Sequence, residues 1–329
     1  MINPSLKLSL IVPMYNEGSN ISYFYNRITK VLEEIGYRYE IICINDGSKD
    51  DTMLHLMELN KKDSRIKIIN LSRNFGKEIA MSAGLNAAKG DAIIPIDADL
   101  QDPPELIPEL IDKWLAGYDV VYATRTKREG ETWAKKATAK LFYKFMRKIT
   151  NIDIPADTGD FRLMSRRVVD ALNQLPEHHR FMKGLFSWVG FKQTGVSYQR
   201  EPRHAGKSSF NYWKLWNFAI EGITSFSFAP LKMSSYLGFI VSFLSVLYML
   251  FLIVRTIFFG NEVPGYPSLM VTILFFGGVQ LMSLGFIGEY VGRIYNESKR
   301  RPLYFVSDQI GFDEDESISN KDKIVRLSR

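Results

Sequence analysis

The sequence predicts an α/β domain, built on a mainly parallel sheet, followed by a two-helix transmembrane hairpin. Three observations predict it. Short apolar runs alternate with amphipathic stretches from residue 8 to 123. Carboxylates, asparagines and glycines stand directly after those runs, and residues 233–288 are nearly uncharged.

Leu8-Ser9-Leu10-Ile11-Val12-Pro13 reads as a buried strand, with a turn at Asn16-Glu17-Gly18 and an amphipathic helix over roughly 19–35. Tyr39 to Asn45 is the next strand, Asp46-Gly47-Ser48 its turn, and about 50–62 its helix. Ile66 to Leu71, Ala92 to Ile96 and Asp119 to Ala123 complete the strands, with helices near 76–89 and 104–116 between them. Strands alternating with helices imply a parallel sheet covered on both faces, with its ligand at the strands' carboxyl ends. Pro13 to Glu17, Asp46 to Ser48, Arg73-Asn74 and Asp97 to Asp99 all fall at such ends.

The net charge of +6 does not point to nucleic acid, because the basic residues cluster in 125–148, 162–214 and 293–301, leading into the apolar segments. No nucleic-acid-binding signature accompanies them. The lone cysteine, Cys43, sits in an apolar strand and permits no internal disulfide, consistent with a reducing compartment. The apolar run Leu8 to Val12 is too short for a signal peptide.

Trp133 to Ile149 forms a basic amphipathic helix by pattern, with Leu141, Phe142, Phe145 and Met146 on one face. Phe210 to Phe228 carries Trp213, Trp216 and Phe218 and reads as interfacial. Met233 to Val254 and Leu269 to Gly288 are each long enough, at about 20 residues, to cross a hydrocarbon core. Lys232 precedes the first run, and Arg293, Lys299, Arg300 and Arg301 follow the second. The connection at 260–267 has neither Lys nor Arg, so the positive-inside rule places both termini in the cytoplasm of a bacterial inner membrane. The expected organisation is a catalytic domain at 1–209, juxtamembrane helices at 210–231, spans at about 233–258 and 267–290 within 232–295, and a tail at 296–329. Beyond about 310 the tail is acidic and reads as disordered. Gly277, Gly278, Gly285 and Gly288 are compatible with close helix contact and a homo-oligomer.

Asp97-Ala98-Asp99 ends the apolar strand Ala92 to Ile96. Two carboxylates one residue apart at a strand end suit a hard divalent cation, Mg²⁺ or Mn²⁺, with Gln101 adding a neutral oxygen. Such an ion offsets the charge that builds on a nucleoside diphosphate leaving group. Asp46-Gly47-Ser48-Lys49-Asp50 combines a helix cap, by Ser48 or Asp50, with a carboxylate at Asp46 placed for a base or ribose. His178-His179 and His204 lack metal-ligand spacing and read as structural or surface residues.

Val12-Pro13-Met14-Tyr15-Asn16-Glu17, Asn45 to Asp50, Asn74-Phe75-Gly76-Lys77 and Asp97-Ala98-Asp99-Leu100-Gln101-Asp102-Pro103-Pro104 resemble the GT-A, family 2 glycosyltransferases. The branch most like this chain is the polyprenyl-phosphate sugar transferases, which include dolichyl-phosphate mannose synthase and bactoprenol glucosyltransferase. The resemblance covers nearly residues 5–305. It implies that Pro13, Tyr15, Glu17, Asp46, Arg73, Asp97 and Ala98 bind the donor and that Asp97, Asp99 and Gln101 serve the metal. Asp157, in Asp157-Thr158-Gly159-Asp160-Phe161-Arg162, resembles the family's catalytic carboxylate on the acceptor side, and members invert the anomeric centre. The QxxRW motif of processive relatives is absent, since Gln199 to His204 does not match it, which argues against a polymer-extruding synthase.

A lipid monophosphate, with a second pKa of about 6, is largely ionised near neutrality and needs cationic positioning more than a general base. Arg125, Arg128, Lys135, Arg200, Arg203, Lys207 and Ser208 are the candidates for that role. The residues leave open whether Asp157 accepts a proton or orients a neighbour. The resemblance implies transfer of one hexose, with glucose from UDP-glucose the first choice, to undecaprenyl phosphate at the cytoplasmic membrane face for cell-surface polysaccharide. Mannose or an amino sugar is the alternative donor. A non-catalytic nucleotide-binding scaffold is the alternative of another class.

Overall fold

The computed structural model describes residues 6–125, 155, 158–175, 177–178, 180–199, 229–259 and 265–312. The chain divides into two units, Met1–Tyr212 with Arg301–Arg329, and Trp213–Arg300.

The first unit is built on an eight-stranded sheet: β1 Lys7–Met14, β2 Arg38–Asn45, β3 Ile66–Leu71, β4 Ala92–Pro95, β5 Val120–Arg125, β6 Thr158–Ser165, β7 Gln193–Tyr198 and β8 Val306–Ile310. Its strand order is β7-β5-β6-β4-β1-β2-β3-β8. β1 pairs in parallel with β2 and β4, β2 with β3, and β5 with β7. β6 pairs antiparallel with both β4 and β5, and β8 antiparallel with β3. The sheet is therefore mixed. It remains mainly parallel, as expected; the antiparallel pairings come from β6 and β8, which stand outside the repeating strand–helix unit.

Helices α1 Ile21–Ile35, α2 Thr52–Lys62, α3 Lys77–Ala87 and α4 Ile107–Leu115 link the first five strands, with a 3-10 turn at Pro104–Leu106 leading into α4. α5 Arg166–Asn173 and α6 Met182–Trp188 follow β6. α1 buries Ile21, Phe24, Ile28, Val31 and Leu32, the one-sided stripe of a helix on a sheet, and ends at Gly36 in the left-handed region (φ 76°). α3 packs close against the sheet at Gly84. A Cβ built on Gly84 would stand 2.3 Å from Ile11 Cγ2 and 2.7 Å from Ile44 Cδ1, so only glycine permits that approach. Cys43 is buried on β2, and burial pushes its thiol up to about 12.

The buried carboxylate of Glu40 on β2 is paired. Glu40 takes Lys7 Nζ at 2.6 Å, Lys67 Nζ at 3.1 Å and the Ser9 hydroxyl at 2.6 Å. Burial opposes its charge, but these donors and the Lys89 N–H outweigh it and hold its pKa low.

The second unit contains α7 Ala229–Phe259 and α8 Tyr266–Ser298. Among the described residues, no helix is long and apolar enough to cross a membrane. This corrects the expected transmembrane hairpin, and the multi-pass inner-membrane placement and orientation argued from it lose their basis. A span needs about 20 predominantly apolar residues in one helix. Ser235, Thr272 and Ser283 instead turn their hydroxyls onto carbonyls one turn back, at 3.1, 2.7 and 2.9 Å. Large apolar side chains on these helices are nonetheless exposed, Phe239, Phe258 and Leu281 among them. The basic helix expected at 133–149 and the interfacial segment at 210–228 lie outside the described residues, as do the tail beyond 312, His179 and His204. His178 Nε2 lies 2.5 Å from the Arg301 carbonyl.

Candidate active site

The loops after β1, β2, β3 and β4 meet at the carboxyl ends of their strands, as doubly wound sheets require. The first two are sewn together through side chains. Asn16 adopts φ 56°, its N–H donates to Ser48 Oγ at 2.9 Å, and its Oδ1 accepts the Lys49 N–H at 2.8 Å. Glu17 N–H donates to Thr52 Oγ1 at 2.9 Å, and Gly18 N–H to Asp50 Oδ2 at 3.1 Å. Asp50 also accepts the Thr52 N–H at 3.2 Å; the N-cap position of α2 is Asp51, which makes no side-chain cap hydrogen bond. Pro13 lies within β1, and Tyr15 is exposed just beyond the strand's end.

Asp46 is 2% exposed and acts on the third loop. Its Oδ1 accepts the Phe75 N–H at 2.7 Å and its Oδ2 the Gly76 N–H at 2.9 Å. Burial raises its pKa, with the two N–H groups and Arg73 working the other way. The sequence suggested a base or ribose contact for this carboxylate; the structure shows it holding the backbone that leads into α3. Arg73 stacks its guanidinium 4.1 Å from the Phe75 ring centroid and donates to the Asn74 carbonyl at 3.0 Å.

That backbone delivers Lys77, the first residue of α3. Its Nζ lies 2.7 and 2.8 Å from the two carboxylate oxygens of Asp97 and 2.6 Å from Asp160 Oδ2. Burial works against the Lys77 ammonium, but Asp160 and Asp97 outweigh it and hold its pKa well above that of an isolated lysine. Asp160 is likewise opposed by burial yet held well below the usual carboxylate range by Lys77, with Lys183 and Arg162 assisting. Its second oxygen, Oδ1, has no hydrogen-bond partner among the described residues. Ala98 and Asp99 are buried, Asp99 Oδ1 accepts the Gln101 N–H at 3.2 Å, and Leu100 adopts φ 57° to complete the turn.

β5 ends at Arg125. Its Nε donates to the Tyr198 hydroxyl at 3.2 Å, and its Nη2 is 3.9 Å from Asp102 Oδ1. The Tyr198 hydroxyl in turn donates a very short hydrogen bond to Asp102, and burial followed by Asp102 raises its pKa. Arg162, buried beneath, stacks on Phe186 at 3.9 Å and donates to the Gly159 carbonyl at 2.8 Å; burial lowers it to about 10. Of the expected acceptor residues, Arg125 is therefore placed beside the site. Arg128, Lys135, Arg200, Arg203, Lys207 and Ser208, with Asp157, lie outside the described residues.

Three participants were missed in the sequence: Lys77, Asp160 and Lys183. Burial lowers the Lys183 pKa against the pull of Asp160. Lys77 left a signal, a cation in the first turn of a helix where the macrodipole favours anions. Both it and Asp160 stand in motifs the sequence singled out, Asn74 to Lys77 and Asp157 to Arg162, without an assigned role.

Oxygen donors at the ends of adjacent strands, with a cation already drawn between them and a spare buried oxygen at Asp160, fit a hard divalent ion. Among the described residues, no three His, Cys, Asp or Glu side chains converge as a complete metal site, so ligands beyond the protein would complete the shell. A carboxylate cluster at the strand ends of an α/β sheet stands where such sheets bind their ligands. Residues 9–172 match glycosyl transferase family 2. The chain is 60% identical to an uncharacterized glycosyltransferase of Synechocystis sp., over 94% of this chain and 97% of that one. It is 49% identical to an uncharacterized glycosyltransferase of Bacillus subtilis, over 94% and 95%. A bactoprenol glucosyl transferase of Shigella phage SfV is 51% identical over 92% of this chain and 99% of the phage protein. The chain belongs to glycosyl transferase family 2 and is a glycosyltransferase.

Proposed function

We propose that this enzyme transfers one glucose from UDP-glucose to a polyprenyl phosphate, with inversion at the anomeric carbon. The observation that carries the acceptor is the 51% identity to a bactoprenol glucosyl transferase across 99% of that protein's length. The cation-rich acceptor side, with Arg125, Arg162 and Lys183 around Asp160, supports it.

A lipid phosphate oxygen attacks the anomeric carbon, the bond to the diphosphate breaks, and its electron pair leaves with the nucleotide. An acceptor phosphate already in its dianionic form has no proton to lose. Pro13, Tyr15, Glu17, Asp46, Arg73, Asp97 and Ala98 form the proposed donor site; the two sewn loops give it a rigid floor. Asp97, Asp99 and Gln101 would hold a divalent ion, Mg²⁺ or Mn²⁺, which neutralises charge on the departing diphosphate. Asp157 is the proposed carboxylate on the acceptor side. Arg125, held by Tyr198 and Asp102, is preset to meet an anionic acceptor without reorganising.

The test incubates purified protein with Mg²⁺ or Mn²⁺, polyprenyl phosphate in detergent and radiolabelled UDP-glucose, GDP-mannose or UDP-N-acetylglucosamine. Label should enter the organic phase from UDP-glucose and be lost with Asp99→Ala. Label entering from another donor alone would replace glucose, and label remaining in water with every donor would refute the reading.

A further inference from the structure

Lys77 stands where helix stability would not put it. A cation in the first turn of α3 opposes the macrodipole, so the site and not the helix explains its presence. Its ammonium is shared by two carboxylates from different strands: Asp97, after β4, and Asp160, within β6. Two carboxylates and one ammonium leave the triad one negative charge in excess. The same carboxylate of Asp97 is one of those proposed for the divalent ion, and two cations on one carboxylate repel each other. Lys77 keeps 43% of its side chain open to solvent and Asp97 keeps 30%, so the pair can be parted from the open side; Asp160, at 13%, is the enclosed anchor. A Cβ on Gly76, just before the lysine, would meet no atom within 4 Å, which leaves room beside the start of α3.

We propose that Lys77 is a resident counter-ion that changes partners when the donor binds. In the ligand-free enzyme it holds Asp97 against Asp160. In the donor complex it yields Asp97, stays tied to Asp160, and turns its charge to the nucleoside diphosphate, so that it screens the leaving group during transfer. Lys77 thereby makes the cation site and the diphosphate site depend on each other: without nucleotide the lysine competes with a metal for Asp97, and with nucleotide both cations have an anion to share. The inference rests on the nucleotide-sugar reading above.

The experiment needs no turnover and no acceptor. Mn²⁺ binding to the full-length protein is followed by the electron paramagnetic resonance signal of unbound Mn²⁺, and UDP binding by calorimetry at saturating Mn²⁺, for wild type, Lys77→Met and Lys77→Arg. Lys77→Met should bind Mn²⁺ alone about threefold to tenfold more tightly than wild type, because Asp97 is released. It should bind UDP about 10- to 100-fold more weakly, the loss of a hydrogen bond between two charged groups. Lys77→Arg should recover most of the UDP affinity. Wild-type behaviour in Lys77→Met would overturn the inference alone. Weakened binding of both ligands, unrecovered in Lys77→Arg, would also overturn it, since a merely structural lysine does that. Wild type that binds no UDP at any Mn²⁺ concentration would overturn the nucleotide-sugar reading, and this inference with it.

Discussion

Asp46→Asn tests whether the third strand-end loop is held by a charged acceptor. The carboxylate receives two backbone N–H groups, from Phe75 at 2.7 Å and Gly76 at 2.9 Å, and is 2% exposed. Asparagine keeps one oxygen but turns an amide N–H₂ against the other backbone donor. One hydrogen bond to a charged acceptor is lost, about 1.5–3 kcal/mol, and a buried N–H is left unsatisfied, about 1–3 kcal/mol. Removing the buried charge returns part of this, because burial already presses Asp46 toward its neutral form. The net loss is about 1–3 kcal/mol. At a urea slope of about 2–3 kcal/mol/M the midpoint falls by roughly 0.3–1.5 M. UDP affinity should fall as well, because the loop carries Lys77 to Asp97. Urea unfolding followed by tryptophan fluorescence, with calorimetric titration of UDP, reads both. A midpoint within about 0.2 M of wild type and unchanged UDP affinity would refute the reasoning.

Gly47→Ala should destabilise by at least about 1–3 kcal/mol, since φ is +64° and the new Cβ would lie 2.5 Å from Arg73 C and Asn74 N; a fall in Tm checks it. Tyr198→Phe removes the hydroxyl that joins Asp102 to Arg125 and should lose about 1–3 kcal/mol, measured by urea unfolding, and should raise the KM for the acceptor more than the KM for the donor relative to wild type. Acid should unfold the first unit early. Arg167 and Ser165 hold Asp119 below its unfolded pKa, and Lys7, Ser9 and the Lys89 N–H hold Glu40 there against burial. Their contribution is present above the unfolded values of about 4 and is lost as pH falls through the lower folded ones. The urea midpoint should therefore drop below pH about 4, and less steeply in Glu40→Gln.

Much of the first unit was legible before any coordinates. The expected helix over 19–35 is α1 at Ile21–Ile35, and the expected strand at 66–71 is β3 at those bounds. These elements announce themselves because each carries its own period of apolar residues, set by backbone geometry and needing no partner to be seen. The strand-end loops were legible for the same reason. β6, β7 and β8 were not: β6 holds Asp160 and Arg162 within its run, and β8 is a short segment over two hundred residues from β3. The transmembrane reading failed on a local rule of another kind, since a run without charge is not yet a helix apolar enough to span.

What the sequence determined by itself, then, is the repeating strand–helix unit, the ends of its strands and the carboxylates standing there. Only the tertiary structure decided that β6 is inserted between β4 and β5, which brings Asp160 to the ammonium of Lys77 opposite Asp97. It also decided that Asp46 serves the backbone of its neighbouring loop. The physical reason is that periodicity is a property of neighbouring residues. Pairing and charge compensation are settled by whichever distant groups can share a buried place.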